Sequence, residues 1–468
     1  MKPIQGVIIT SGRGTKMWPY SDVRPKCLLP VFNQTVLHRQ ILQLQQVGIQ
    51  TLIIIADQRG MAAIRAEVER ITHRLKFKLL IRYVMVESHD GSADALCYVI
   101  DDIMREPTLV LYGDIVTPVE NIYQLIQSYE ETREQALLVS ALLNERSEDW
   151  LCAYVDDQKI VSRVIAHPRS DVNVRLSGAY VFDERIIPYL RATSDHMTCV
   201  QVGVMPPVEA DLIETLHTFI GAGGTFVAYY AQTYCIDLDK PWHILEANAR
   251  VMDEAASQLT HSVIPDSSYV SPEADIRGHI VLGEHVRIGP RVLIEGNAWI
   301  GDGSVVDNGA IVRGNVAIGR NVEIVDYCLI TGPSAIGDRG VLRHGAEFSG
   351  VAFPGVYLYH YMELYGVIGE GSDLGAATVC GTLRFDDGET PQRIKGRREH
   401  AGYYAHAVYI GDHCRTGVNA ILMPGCKIGT RSVIGAGIVL QEDVPSETLL
   451  YVEQVIVKKK WGTHPYGW

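Results

Sequence analysis

A chain of 468 residues is longer than a single hydrophobic core usually grows, so two domains are expected before any motif is read. Hydrophobic residues make up 47% and charged residues 21%, as in globular proteins, and no uninterrupted apolar stretch approaches the length of a membrane span, about eighteen residues. The formal charge of −13 argues against a surface built for nucleic acid or anionic lipid, so any phosphate recognition has to come from a local site.

The first ten residues carry one positive charge, Lys2, and run straight into a β-rich segment without a signal-peptide pattern, which predicts a cytoplasmic protein. Nine cysteines are scattered from Cys27 to Cys426 with no C-x-x-C pair, so neither a disulfide framework nor a zinc site is indicated. From residue 4 to about 250, β-rich runs (Ile4–Thr10, Thr51–Ala56, Leu79–Glu87, Leu109–Tyr112, Val174–Phe182) alternate with amphipathic stretches such as Val36–Val47 and Gly60–Leu75. This alternation predicts an α/β domain over residues 1–255, a mostly parallel sheet covered on both faces, with ligands at the carboxyl ends of its strands.

The first run leads into Ser11-Gly12-Arg13-Gly14-Thr15-Lys16-Met17, and Pro25-Lys26 follows ten residues beyond Lys16. Glycines at 12 and 14 let the backbone approach an anion, and a lysine on such a loop neutralises phosphate charge; an ordinary strand-to-helix turn is the plain alternative. Further on stand Gly91-Ser92-Ala93, Tyr112-Gly113-Asp114 at a strand end, and Asp237 with Asp239 close by. Taken singly, Asp114 could cap a loop, Asp237 could be a solvated turn carboxylate, and Lys26 could be a surface lysine.

Near residue 262 the pattern changes. From Ile264 to Phe348 an apolar residue falls on every sixth position, fifteen in all, with small or β-branched residues such as Ala298, Ser304 and Ala310 two positions earlier. A period of six fits neither an α-helix nor an amphipathic strand, but it fits a triangular coil in which each side turns one residue inward. The period breaks at Gly350–Tyr365 and Arg384–Tyr404, expected as loops, and resumes at Ile410 with Thr416 as its polar exception. This predicts an all-β domain over 262–450 and a tail over 451–468. Its two ends need covering, a task for the first domain and for Glu442–Trp468.

The motifs Gly12-x-Gly14-Thr15-Lys16-Met17 and Pro25-Lys26-x-Leu28-x-Pro30-Val31 resemble the signature of the sugar-1-phosphate nucleotidylyltransferases, and Asp237-x-x-x-Pro241-Trp242-x-x-Leu245-x-Ala247-Asn248 extends the resemblance to about residue 250. The resemblance implies a Rossmann-like nucleotidyltransferase domain joining a nucleoside triphosphate to a sugar 1-phosphate. It implies Lys16 and Lys26 as catalytic residues, and Ser11, Gly12, Gly14, Thr15, Gly91 and Ser92 against the nucleotide. Asp114 and Asp237 would hold Mg2+, and His167 and Gly178 would face the sugar phosphate. Four positions depart from the family: Lys16 replaces an arginine, Ala166-His167 replaces a Glu-Lys pair, and Leu176 replaces an asparagine. Val86–Asp90 contains no base-reading glutamine, so the nucleotide base stays open.

The repeat region, with Gly375-Ala376-Ala377-Thr378 and Leu383-Arg384-Phe385-Asp386, resembles the left-handed parallel β-helix of bifunctional sugar-1-phosphate nucleotidylyltransferase/acetyltransferases. That implies assembly as a homotrimer or a multiple of three, and a possible site for acetyl-CoA. The family's catalytic histidine falls on Tyr359 in register; His360 would serve as the base if the stretch 350–365 carried a bulge. Three functions follow: a nucleotidylyltransferase that uses its β-helix for assembly, a bifunctional enzyme, or a regulatory homologue that binds nucleotide sugar without turnover.

Overall fold

The structure, a computed structural model, describes residues 5–74, 79–86, 91–100, 106–142, 146–169, 171–193 and 211–459. Ile4, Leu75, the segment 87–90 beside the expected base site, and tail residues 460–468 lie outside the described residues.

The first domain is built on a nine-stranded mixed sheet. Gln5–Ile9 lies between Thr51–Asp57 and Thr108–Tyr112, parallel to both, and Leu80–Val86 extends the parallel part. Val174–Phe182 then pairs antiparallel with Thr108–Tyr112 and carries Gln135–Ala141 and Leu151–Val155 on its other side. The central strands read as continuous apolar runs because both faces are covered: Val7, Ile9, Ile53 and Ile55 enter one core, and Ile8, Leu52 and Ile54 the other. Helix Val36–Gln46 begins at Thr35, whose hydroxyl accepts from the His38 amide at 3.1 Å, and it buries Leu37, Ile41 and Leu44 at helical spacing. Gln5–Ile9 therefore ends at the centre of the sheet, and the loop that follows it opens beside Gly113-Asp114.

The second domain is a left-handed parallel β-helix. Its strands pair with partners eighteen residues on, Ile276 with Ile294 and Ile294 with Val312, so each coil has three sides of six residues. Side chains on every sixth position fill the axis from Leu282 to Phe348. Ile264, which opens the series, is instead 48% exposed, because the first complete coil begins after it.

The two breaks in the period have different origins. Gly350–Tyr365 is not a loop. Phe348 pairs with Leu364 and Ala352 with Ile368 in unbroken register, sixteen residues apart, so one side of the coil is simply two residues shorter. Arg384–Tyr404 is a true insertion carrying the hairpin Gln392–Ile394/Arg397–Glu399, and the coil resumes where Ile368 pairs with Ile410, 42 residues on. The polar exception Thr416 is satisfied inside the coil: its hydroxyl lies 2.7 Å from that of Thr378 and accepts from the Gly375 amide at 2.9 Å.

Among the described residues the first domain does not cover an end of the coil. It docks on a flank, where helix Trp242–Gln258 and the loop after the first strand pack on Ala317, Ala335, Val351 and Val367. Small outward residues on that flank let a helix approach closely. At the other end, among the described residues, only the first part of Glu442–Trp468 packs on the last coil, with Val444 buried and Leu449–Leu450 paired to Val433–Ile434, whereas Val455, Ile456 and Val457 are 75–95% exposed. Ala335, 1% exposed, sits under the helix. Ala335→Glu should cost several kcal/mol by burying an unpaired carboxylate and undock the first domain, seen as a larger radius of gyration in small-angle scattering. An unchanged radius with parental stability would contradict the flank docking.

Candidate active site

The loop after the first strand is shaped by a glycine and a lysine in contact. Gly14 has φ +61°, and a Cβ there would lie 2.8 Å from Lys26 Cγ, so the left-handed turn and the Lys26 stem each require the absence of a side chain. Lys26 then reaches Asp114 Oδ2 at 2.9 Å and Asp239 Oδ1 at 3.5 Å, while Lys16 reaches Asp239 Oδ2 at 3.0 Å. Asp114 follows the strand Thr108–Tyr112, and Asp237 ends the short strand Ile236–Asp237, paired with Ile115.

These charges are unevenly balanced. Burial would lower the Lys26 pKa, but Asp114, Asp237 and Asp239 outweigh it and hold the ammonium well above its ordinary value. Burial would raise Asp239, but Lys26, Lys16 and Lys240 hold it well below the usual carboxylate range. For Asp237 the balance falls the other way: burial first, and then the charge of Asp114, push its pKa up to about 7 against the opposing pull of Lys26 and Arg175, and its Oδ1 is buried without a hydrogen-bond partner. Among the described residues no group of three or more His, Cys, Asp or Glu side chains is arranged to hold a metal. Asp237 with its orphaned oxygen and Asp114 nonetheless fit Mg2+ as a two-carboxylate site, where substrate oxygens and water would complete the coordination.

A cavity of about 240 Å³ lies against this cluster, and it brings together Ser11, Gly12, Lys26, Gly91, Ser92 and Asp114. Gly14, Thr15, Lys16, Asp237, His167 and Gly178 are not among its lining residues. Ser92 is also a structural joint: its hydroxyl bonds to Asp211 and accepts from the Leu212 amide at 2.9 Å, tying the cavity to helix Leu212–Gly221. Gly178 has φ +68°, and a Cβ there would come within 2.7 Å of Ile115, so the strand Val174–Phe182 needs a glycine to pass behind that residue. His167 has φ +52°, with Nδ1 2.9 Å from the Glu148 carbonyl oxygen; burial lowers its pKa, so it is neutral at pH 7. Ala166 and Leu176 are buried in the core.

Sequence reasoning missed Asp211 and His243 and ranked Asp239 below Asp237. Asp211 lines the cavity from 119 residues beyond Ser92, with no motif around it. His243, lowered to about 3 by burial, accepts from the Asp239 and Lys240 amides through Nδ1 and so holds the acidic turn. The run Asp237-x-Asp239-Lys240 facing two loop lysines was the available signal.

On the β-helix, His360 follows strand Tyr357–Tyr359 with φ +59°, and the pairing around it contains no bulge. Its Nδ1 lies 2.9 Å from His344 Nδ1, and His344 Nε2 lies 3.5 Å from Asp326 Oδ2. The three side chains, with Tyr327 and Tyr361, line an open cleft of about 300 Å³.

Residues 5–199 match the family model described as nucleotidyl transferase, and residues 407–442 match the hexapeptide repeat of succinyl-transferase. The first of these matches spans most of the first domain. A bifunctional sugar-1-phosphate nucleotidylyltransferase/acetyltransferase from Sulfurisphaera tokodaii is 24% identical to this chain over 94% of its length and 98% of the relative's. A bifunctional protein GlmU from Methanococcus maripaludis is 28% identical over 98% of this chain and all of that one. A solved UDP-glucose pyrophosphorylase complexed with UDP-glucose aligns with a TM-score of 0.47 at 14% identity, over 54% of this chain and 99% of that one.

Within the nucleotidyl transferase domain, the cost of the unpaired carboxylate can be measured. A carboxyl whose folded pKa is raised contributes stability that is complete below its unfolded value, about 3.9, and that is lost as the pH rises through about 7. Asp237→Asn should therefore melt higher than the parent at pH 8, with the difference closing toward pH 4. Equal melting across that range would mean that Asp237 is not strained by burial.

Proposed function

We propose that the chain is a magnesium-dependent sugar-1-phosphate nucleotidylyltransferase. The observation that carries this reading is the charged Lys26 set between Asp114 and Asp239 at one edge of the Gly12/Gly91 cavity, with the orphaned Asp237 Oδ1 in the same acidic cluster. A phosphate oxygen of the sugar 1-phosphate attacks the α-phosphorus, the bond to the β-phosphate breaks, and pyrophosphate leaves. Nothing in this step needs a protein nucleophile. The protein's tasks are to align the reactants and to offset charge. Backbone groups at Ser11–Gly12 and Gly91 cradle the triphosphate, and Lys26, charged at every working pH, offsets the negative charge as the bonds exchange. Asp114 and Asp237 would hold Mg2+, which would supply Lewis-acid chemistry to the phosphate oxygens. Neutral His167 takes the place of the family's charged lysine beside the acceptor, which favours an acceptor held by hydrogen bonds more than by charge.

Assembly through the β-helix, as a trimer or a multiple of it, is supported by two outward aliphatic rows on one free face, Leu293, Ile311 and Leu329 and then Val379, Ile421 and Val439, separated by the exposed Glu347 and Glu363. With magnesium, one pair from a panel of nucleoside triphosphates and sugar 1-phosphates should release pyrophosphate, and Lys26→Ala should lower the rate by about 100-fold or more. Nucleotide-sugar binding without release for any pair would favour the regulatory alternative.

The Asp326–His344–His360 chain favours a second activity in the same polypeptide, acyl transfer from acetyl-CoA to an amino-sugar phosphate. The amine attacks the thioester carbon, His360 takes its proton, and coenzyme A leaves; an imidazole oriented by a second one suits that role. Coenzyme A release with an amino-sugar phosphate, abolished by His360→Ala, is the expected result, and no thiol release above the His360→Ala background would remove this reading.

A further inference from the structure

The loop that carries Lys16 and Lys26 is fastened to the β-helix at four consecutive places. Thr430 Oγ1 donates to the Pro19 carbonyl at 3.3 Å, the Tyr20 hydroxyl donates to the Val367 carbonyl at 2.7 Å, and Ser446 donates to Asp22. The fourth is ionic: Arg24 bonds to Asp412 and reaches Glu370 at 3.3 Å, with its guanidinium 4.9 Å over the buried ring of Phe353. The Arg24 side chain is 13% exposed and that of Asp412 3%.

A buried guanidinium–carboxylate pair returns little stability compared with an apolar contact of the same size, because both ions must be taken out of water. What such a pair provides is a single allowed position. Arg24 is joined to Lys26 only through Pro25, whose φ is fixed by its ring and which packs against Gly60, where a Cβ would come within 2.9 Å. Two residues span at most about 7 Å. Wherever Asp412 holds Arg24, Lys26 has little freedom to move.

We propose that Arg24 and Asp412 are positioning residues, through which the β-helix sets the place of the Lys26 ammonium in the nucleotidyl transferase site. The proposal rests on the nucleotidyl-transfer reading for its kinetic consequence, but not for its structural one. Asp412 holds Arg24, Pro25 carries that position to Lys26, and Lys26 meets Asp114. The second domain is then a working part of the first domain's site as well as a module for assembly.

The test uses the full-length chain with Asp412→Asn, which keeps the side chain's shape and removes its charge. Lysines are trace-labelled with acetic anhydride and quantified by mass spectrometry, with exposed Lys159 as the internal reference. Below the melting transition, Lys26 should label several-fold faster in the variant than in the parent. On a productive substrate pair kcat should fall by about 10- to 100-fold with the KM for the sugar phosphate unchanged, and Asp412→Glu should recover part of the loss. A folded Asp412→Asn protein with parental Lys26 labelling and parental kcat would overturn the proposal. If no substrate pair turns over, the labelling alone still decides it, so the two readings fail separately. If Asp412→Asn does not fold, Arg24→Lys, which keeps the charge but loses the planar contact with Phe353, carries the same expectations.

Discussion

The structure of the site depends on one imbalance: three carboxylates, Asp114, Asp237 and Asp239, gathered around Lys26. Asp239 is matched by Lys16, Lys26 and Lys240, and Asp114 by Lys26, but Asp237 is left with an orphaned oxygen and a pKa of about 7. Folding alone gains nothing from such a group. It persists because the strand Ile236–Asp237 is pinned to Ile115–Val116 and the following turn is held by His243. Stability given up at one carboxylate is the expected mark of a place where a cation and phosphates complete the balance.

The second domain contributes to that arrangement from a distance. Its axis is filled by one inward side chain per side, which makes a rigid rod, and one of its three faces carries small residues on which the first domain rests. Tyr20, Arg24 and Asp22 reach that rod from the same loop that carries both lysines, so the loop is supported from both sides: by the sheet at Thr10 and by the β-helix along Pro19–Arg24. This explains why a loop with little regular structure of its own can hold Lys26 in one place.

Much of this was legible in the sequence, because periodicity reports burial directly. The five named strands and two named helices occur within a residue or two of their expected positions, and the six-residue period marks the coil axis from Leu282 onward. The strands Gln135–Ala141, Leu151–Val155 and Phe226–Tyr230 were not singled out. The stretch Gly350–Tyr365 was misread as a loop because shortening one side of the coil by two residues breaks the period without breaking the pairing. The flank docking was invisible because small residues such as Ala317 and Ala335 have no pattern of their own outside the coil. In the site, glycines and lysines at motif spacing were readable, whereas Asp211, His243 and the Arg24–Asp412 pair meet only through tertiary structure.

The central claim is that bond exchange takes place at the α-phosphorus of a nucleoside triphosphate. It is tested most directly by labelling the triphosphate at the α-phosphate and, separately, at the γ-phosphate, and following both labels in the presence of magnesium and a sugar 1-phosphate. The account predicts that the α label appears in a nucleotide sugar and the γ label in pyrophosphate. A γ label recovered as orthophosphate or on the sugar, with the α label left in a nucleoside diphosphate, would contradict it.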